Sequence, residues 1–338
     1  MSHSPFRVLK KSIPWLNHLG SRSNVQNKFP QNIGGLCHCN RRQHSNSHSR
    51  NIRTFTPLSR DFPRVITSTY KRGYSQNASE SVEEWTHFGY EKVKEKQKVN
   101  KVYDVFENVA TSYDLMNDLM SVGTHRLWKN HFVHQLKLKH GLKILDMAGG
   151  TGDIAFKMLD NIIHSSPSTN FEDTNTEIII SDINQAMLDV GKQRAEKLGI
   201  EKAFQWKQAD AENLPFEDES LDLYTISFGI RNTTHIDKVL DEAFRVLKVG
   251  GRFSCLEFST VQNPLISSFY DSYSFQVIPV LGQVFANDWD SYQYLVESIR
   301  QFPDKKAFAD MIYDAGFSNV MVEDMTFGVV CIHDGFKI

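Results

Sequence analysis

Short apolar runs punctuate the chain at 143–148, 177–182, 203–209, 221–228 and 252–258, and each reads as a buried strand. Between them, over 153–163, 185–198 and 236–247, apolar residues return every third or fourth position, the period of helices with one buried face. Two more helical patterns precede the first strand: 99–123, with Val102, Val105, Phe106 and Val109 in register, and 125–138, with Leu127, Trp128, Phe132 and Leu136 on one stripe. Both are expected to lie over a cleft as a helical lid. A helix over 304–315, closed by Gly316, and strands at 318–324 and 327–333 complete the pattern. The alternation predicts an α/β fold, a mostly parallel seven-stranded sheet with helices on both faces. The polar run 164–176 is expected as a surface insertion, and the aromatic run 264–286, broken by Pro279 and Gly282, as the wall of an apolar channel.

The first strand opens into Ala148-Gly149-Gly150-Thr151-Gly152-Asp153. Glycines there let a ligand approach the backbone, and the following helix start offers unpaired N–H groups. A dinucleotide fingerprint would place a glycine three residues after Gly152, where Ala155 stands, so a nicotinamide oxidoreductase is disfavoured. Asp146 and Asp153 flank the loop; they repel a pyrophosphate but suit the sulfonium and ammonium of S-adenosylmethionine. Later strand ends are also polar: Asp182, suited to ribose hydroxyls; Asp210 with Ala211, suited to an adenine; and Ser227. Gly150, Thr151, Gly152, Asp182, Asp210, Ala211 and Ser227 are therefore the candidate donor-binding residues.

Charge divides the chain. Residues 1–79 hold 13 Lys and Arg against one acid, leaving 25 basic and 39 acidic residues beyond, a net of −14 that argues against a nucleic-acid footprint. The Arg-, Ser- and Asn-rich segment 1–74 fits a disordered mitochondrial or plastid transit peptide, with cleavage after Tyr74 in Lys71-Arg72-Gly73-Tyr74-Ser75 and a basic disordered tail as the competing reading. Residues 75–98 then read as a linker or N-terminal helix, and 99–338 as the catalytic domain. No apolar run approaches the ~18 residues of a membrane-spanning helix. The four cysteines form no C-x-x-C pair, and no metal site is indicated.

Two longer motifs add a family. Tyr113-Asp114-Leu115-Met116-Asn117-Asp118-Leu119-Met120-Ser121 with His125 and Trp128, and Arg245 to Gly251 followed by Leu256-Glu257-Phe258-Ser259, resemble the two signatures of the ubiquinone/menaquinone biosynthesis C-methyltransferases. Phe228-Gly229-Ile230-Arg231-Asn232 and the run 291–299 agree with that family too. The resemblance implies a class I S-adenosylmethionine-dependent (Rossmann-like) fold and carbon methylation of a polyprenylated quinol. With the presequence it favours 2-polyprenyl-6-methoxy-1,4-benzoquinol over a naphthoquinol. It also implies partnership with other enzymes of a ubiquinone-synthesis complex and peripheral attachment to the matrix side of the mitochondrial inner membrane. A donor-binding scaffold of that complex is the alternative outside catalysis. Arg231 is expected to stabilise a developing phenolate and Asn232 to orient the oxygen or a water, with an ion pair to a nearby acid as the competing role for Arg231. His125 and His333 are candidate bases.

Overall fold

The computed structural model describes residues 84–109, 117–118, 121–165, 171–286 and 288–338. The segment 1–74, expected as a transit peptide, and the signature residues Tyr113, Asp114, Leu115, Met116, Leu119 and Met120 lie outside them. A hairpin of β1 (Trp85–Phe88) and β2 (Glu91–Lys94) leads into α1 (Glu95–Val109), followed by α2 (Thr124–Gln135). Then come β3 (Lys143–Met147), α3 (Asp153–Ser165), β4 (Glu177–Asp182), α4 (Gln185–Leu198), β5 (Phe204–Gln208), β6 (Leu221–Ser227), α5 (Ile236–Val246) and β7 (Leu247–Phe258). Three helices, α6 (Pro264–Gln276), α7 (Ile278–Ala286) and α8 (Trp289–Gln301), precede α9 (Lys305–Asp314), β8 (Ser318–Met325) and β9 (Val330–Phe336).

The seven strands run in the order β5-β4-β3-β6-β7-β9-β8. Five are parallel, while β9 is antiparallel to β7 and β8 to β9, so the sheet is mixed. Successive residues of β3 point to opposite faces: Ile144 packs with Phe132, Met158 and Ile162, and Leu145 with Tyr224, Leu240 and Phe308. Both faces are therefore covered at the centre of the sheet, which is why β3, β4 and β6 are largely apolar and buried rather than alternating. Chain order reverses between β3 and β6, and a crevice opens at their carboxyl ends.

Six expectations need correction. Residues 85–94 form a hairpin rather than a linker or helix, and the first long helix starts at Glu95, not Val99. Strand β7 begins at Leu247, ahead of Gly250-Gly251, and the last strand is displaced to 330–336. In the polar run, α3 continues to Ser165, and Phe171 and Thr174 are buried in a 3-10 turn, so that end is packed rather than laid on the surface. The aromatic segment breaks at Val277, with Pro279 in the first turn of α7, where its missing N–H costs nothing.

Candidate functional site

The loop after β3 turns back on itself. Gly152 N–H donates to the Gly149 carbonyl at 2.8 Å, and Gly149 N–H to the Ser181 carbonyl at 3.0 Å, locking the loop against β4. Gly150 sits at φ +51°, a conformation that favours glycine. Asp182, at the end of β4, accepts from the Gly150 amide at 3.0 Å and the Asn184 amide at 2.8 Å. Burial raises its pKa to about 6 against the pull of those amides. Asp146 lies deeper still. Burial raises it to about 7, Thr225 donates to its Oδ1 at 2.9 Å, and its Oδ2 is buried without a partner.

These residues border one cavity of about 400 Å³, whose wall also includes Gly150, Thr151, Asp210, Ala211, Ser227 and Asn232. Six of the seven candidate donor residues are thus brought together. Gly152 is the exception: it lies behind the wall, where an added Cβ would meet the Phe156 ring at 2.8 Å. The Ser227 hydroxyl is buried and unpartnered, whereas the Asp210 carboxylate accepts from the Glu212 amide at 2.9 Å. Gly229 keeps the floor thin, since a Cβ there would stand 2.4 Å from that of Ala148. Asp153, also in the wall, faces buried Lys129 at 2.9 Å. Burial would raise its pKa, but Lys129 and then Lys157 hold it down at about 2.

Helix α1 adds a further wall to the cavity. Glu95, Val99, Val102 and Tyr103 of α1 line it from above. His235 ties that helix down, with Nε2 at 3.0 Å from Glu95 and Nδ1 at 2.7 Å from Glu212. Burial opposes the imidazolium, but the Glu212 hydrogen bond and both carboxylates outweigh it and raise the pKa. Lys98 Nζ donates to the Thr233 carbonyl at 2.7 Å as a further tie.

A second, mostly apolar chamber shares Phe106, Lys129 and Phe228 as walls with the first. Arg231 borders it, and the guanidinium donates to Glu257 Oε1 at 2.8 Å with both side chains buried. The ion pair considered from sequence therefore exists, and it consumes only part of each group: Arg231 Nε and Glu257 Oε2 are buried without partners. Burial raises the Glu257 pKa against the Arg231 charge. Asn232 accepts through Oδ1 from the Tyr294 hydroxyl at 3.0 Å. His125 faces the chamber, but His333 lies in β9 beside Phe308 with Nε2 against the Lys305 carbonyl, away from both cavities. Glu257 and Tyr294 were not singled out as site residues from sequence; the Leu256-Glu257-Phe258 run, an acid inside a buried strand pattern, was the available signal for the first.

The model of the ubiE/COQ5 methyltransferase family matches residues 92–337. The chain is similar to the mitochondrial 2-methoxy-6-polyprenyl-1,4-benzoquinol methylase of Danio rerio, 50% identical over 293 residues that cover 80% of this chain and 89% of that one. It is 52% identical over 276 residues to the Homo sapiens protein of that name, covering 75% of this chain and 84% of that one. For the Drosophila melanogaster protein the figures are 54% over 262 residues, 76% and 86%.

Proposed function

We infer that this chain, which belongs to the ubiE/COQ5 methyltransferase family, moves a methyl group from S-adenosylmethionine to a ring carbon of 2-methoxy-6-polyprenyl-1,4-benzoquinol, a step of ubiquinone biosynthesis in the mitochondrion. The observation that supports this reading best is the meeting of two unlike cavities: an acid-walled one at the strand ends and an apolar one bordered by a buried guanidinium. A polar donor and a greasy acceptor need such a junction.

The first cavity fits the donor by its chemistry. Asp182 accepts from the ribose hydroxyls, each carboxylate oxygen having a lone pair beyond the one its backbone amide occupies. Asp210 and the Ala211 amide meet the adenine, and Gly150 and Thr151 admit the amino-acid end. Gly152 acts from behind by shaping the loop. The unpartnered Asp146 Oδ2 and Ser227 Oγ are the buried polar atoms that a bound polar ligand would satisfy. The donor, when bound, supplies an electrophilic methyl on a sulfonium sulfur.

The second chamber holds the quinol ring. Arg231 stabilises negative charge on the ring oxygen; it is a poor proton acceptor because a guanidinium stays charged to a pH above ~12. Asn232, with Oδ1 taken by Tyr294, directs its amide N–H groups toward the oxygen or a water beside it. Helix α1 acts as the lid, released when His235 and Lys98 let go. The prenyl tail leaves past Ile278, which borders the chamber on α7, toward the exposed Val280 and Val284 of that helix. That face rests on the matrix side of the inner membrane, where other ubiquinone-synthesis enzymes hand over substrate. No helix among the described residues is long and apolar enough to cross a membrane. Residues 1–74 direct import.

Turnover of a prenylated benzoquinol and a naphthoquinol of equal tail length tests the substrate. The benzoquinol should show a kcat/KM at least about tenfold higher, a difference of ~1.4 kcal/mol in transition-state binding. The opposite ranking would move the protein to the menaquinone type.

A further inference from the structure

His125 and Asp118 form a polar pair at the edge of the second chamber, and their role depends on that chamber being the ring site. His125 is the second residue of α2 and only 6% exposed. Its Nε2 lies 2.8 Å from Asp118 Oδ1, and its Nδ1 is buried with no hydrogen-bond partner. Asp118 is held in turn by Arg126, whose Nε and second guanidinium nitrogen donate at 2.8 and 2.6 Å. Those bonds, ahead of the one from His125, keep the Asp118 carboxyl far below the usual carboxylate range. A permanently ionised Asp118 only accepts, so Nε2 carries the imidazole proton and Nδ1 keeps its lone pair.

The surroundings disfavour the imidazolium. Burial lowers its pKa first and Lys129 second, against the pull of Asp118 and Asp153, and the N-terminus of α2 adds positive potential. From the other walls of the chamber it faces Arg231, Tyr270 and Tyr294. Of these groups Arg231 is a cation bound to Glu257, and burial raises both phenols, so none competes as a proton acceptor.

We propose that His125, oriented by Asp118, is the catalytic base that removes the quinol hydroxyl proton, while Arg231 carries the negative charge left on the oxygen. The O–H bond breaks and the proton goes to Nδ1. The oxygen's electrons enter the ring, whose carbon bonds to the methyl as the methyl–sulfur bond breaks, its pair staying on sulfur as a neutral thioether. The methylated carbon then sheds its hydrogen to water as a proton, and the oxygen recovers its proton from His125. One proton is released per methyl, and no oxidant is needed.

The test uses the full chain with His125→Asn, His125→Gln and, as a chamber-filling control, Leu295→Trp. The first readout needs no donor: the absorbance of a fluorinated short-tail quinol, bound and titrated with base, reports its phenolate. In the wild type, where the Nδ1 lone pair accepts the quinol O–H and so favours its protonated form, the phenolate midpoint should lie at least about one pH unit above that in both His125 variants. In turnover with a short-tail methoxybenzoquinol, kcat near pH 7 should fall ~10²- to 10⁴-fold in those variants with KM little changed. That deficit should shrink above about pH 9, where the quinol begins to ionise unaided, as a phenol does near ~10. Donor affinity equal to the wild type marks a folded variant. Two His125 variants with wild-type phenolate midpoints, or a kcat deficit constant with pH, would overturn the proposal. If Leu295→Trp abolishes quinol binding while the His125 variants keep full turnover, only the base assignment falls. If Leu295→Trp leaves quinol binding intact, the ring lies elsewhere and the chamber reading falls with it.

Discussion

The Gly150 amide donates to Asp182 Oδ2 at 3.0 Å, so the carboxylate that ends β4 also fixes the loop that follows β3. Loop shape and the proposed ribose contact thus depend on the same side chain. Asp182→Asn keeps the volume but removes one acceptor position and the charge. Donor affinity should weaken by ~1–3 kcal/mol, the range for hydrogen bonds to charged groups. Calorimetric titration with S-adenosylmethionine measures it, and an unchanged dissociation constant would remove Asp182 from the ribose.

Two buried carboxyls make stability depend on pH in an unusual direction. Asp146 and Asp182 ionise near about 7 and about 6 when folded, against 3.8 for the ordinary group. Between those values the folded chain binds more protons than the unfolded one, so their contribution is complete at low pH and is lost as pH rises through 6 to 7. Asp153, held near about 2, acts oppositely, and its contribution is lost only as pH falls through that value. The melting temperature of the donor-free protein should fall from about pH 5 to about pH 8, and Asp146→Asn should flatten the slope. Equal slopes in the two proteins would count against the assignment.

The cavity at the carboxyl ends of the strands was legible because strand ends are readable. Asp182, Asp210 and Ser227 each close an apolar run, and the parallel order of β4, β5 and β6 brings such ends to one edge. What escaped was long-range pairing. Nothing local says that Glu257 will meet Arg231, 26 positions earlier, or that Tyr294 will meet Asn232. The β1–β2 hairpin escaped for another reason: Glu91-Lys92-Val93-Lys94 buries only Val93, and the hairpin is held in part by Phe88 stacking on Tyr294 at 4.1 Å. Gly152 shows the converse case, since a glycine in such a loop can serve packing against Phe156.

The Arg231–Glu257 pair should be costly to break. Glu257→Ala leaves a guanidinium buried without its counter-ion, and chemical denaturation should show a loss of ~3–5 kcal/mol. Glu257→Gln retains an acceptor and should lose less. A Glu257→Ala protein within about 1 kcal/mol of the wild type would mean that the pair contributes little.

The tail path distinguishes two neighbouring residues. Ile278 is 5% exposed and borders the chamber, whereas Phe275 is 40% exposed and lies near Arg300. Ile278→Ser should raise KM for a long-tailed quinol at least about tenfold more than for a tail-less one, a difference of ~1.4 kcal/mol in binding. Phe275→Ser should leave the two substrates alike. Equal effects of Ile278→Ser on both, with a large fall in melting temperature, would make Ile278 ordinary core and place the tail elsewhere.

The most direct measurement follows the methyl carbon itself. The full chain is incubated with S-adenosylmethionine carrying a ¹³C methyl and a reduced, short-tailed 2-methoxy-6-prenyl-1,4-benzoquinol, and the product is read by carbon NMR. The account predicts one labelled methyl bonded to a ring carbon for each S-adenosylhomocysteine formed, its carbon signal far upfield of any methyl ether, with no label on oxygen. A labelled methyl ether, or donor consumption with no label in the quinol, would contradict it.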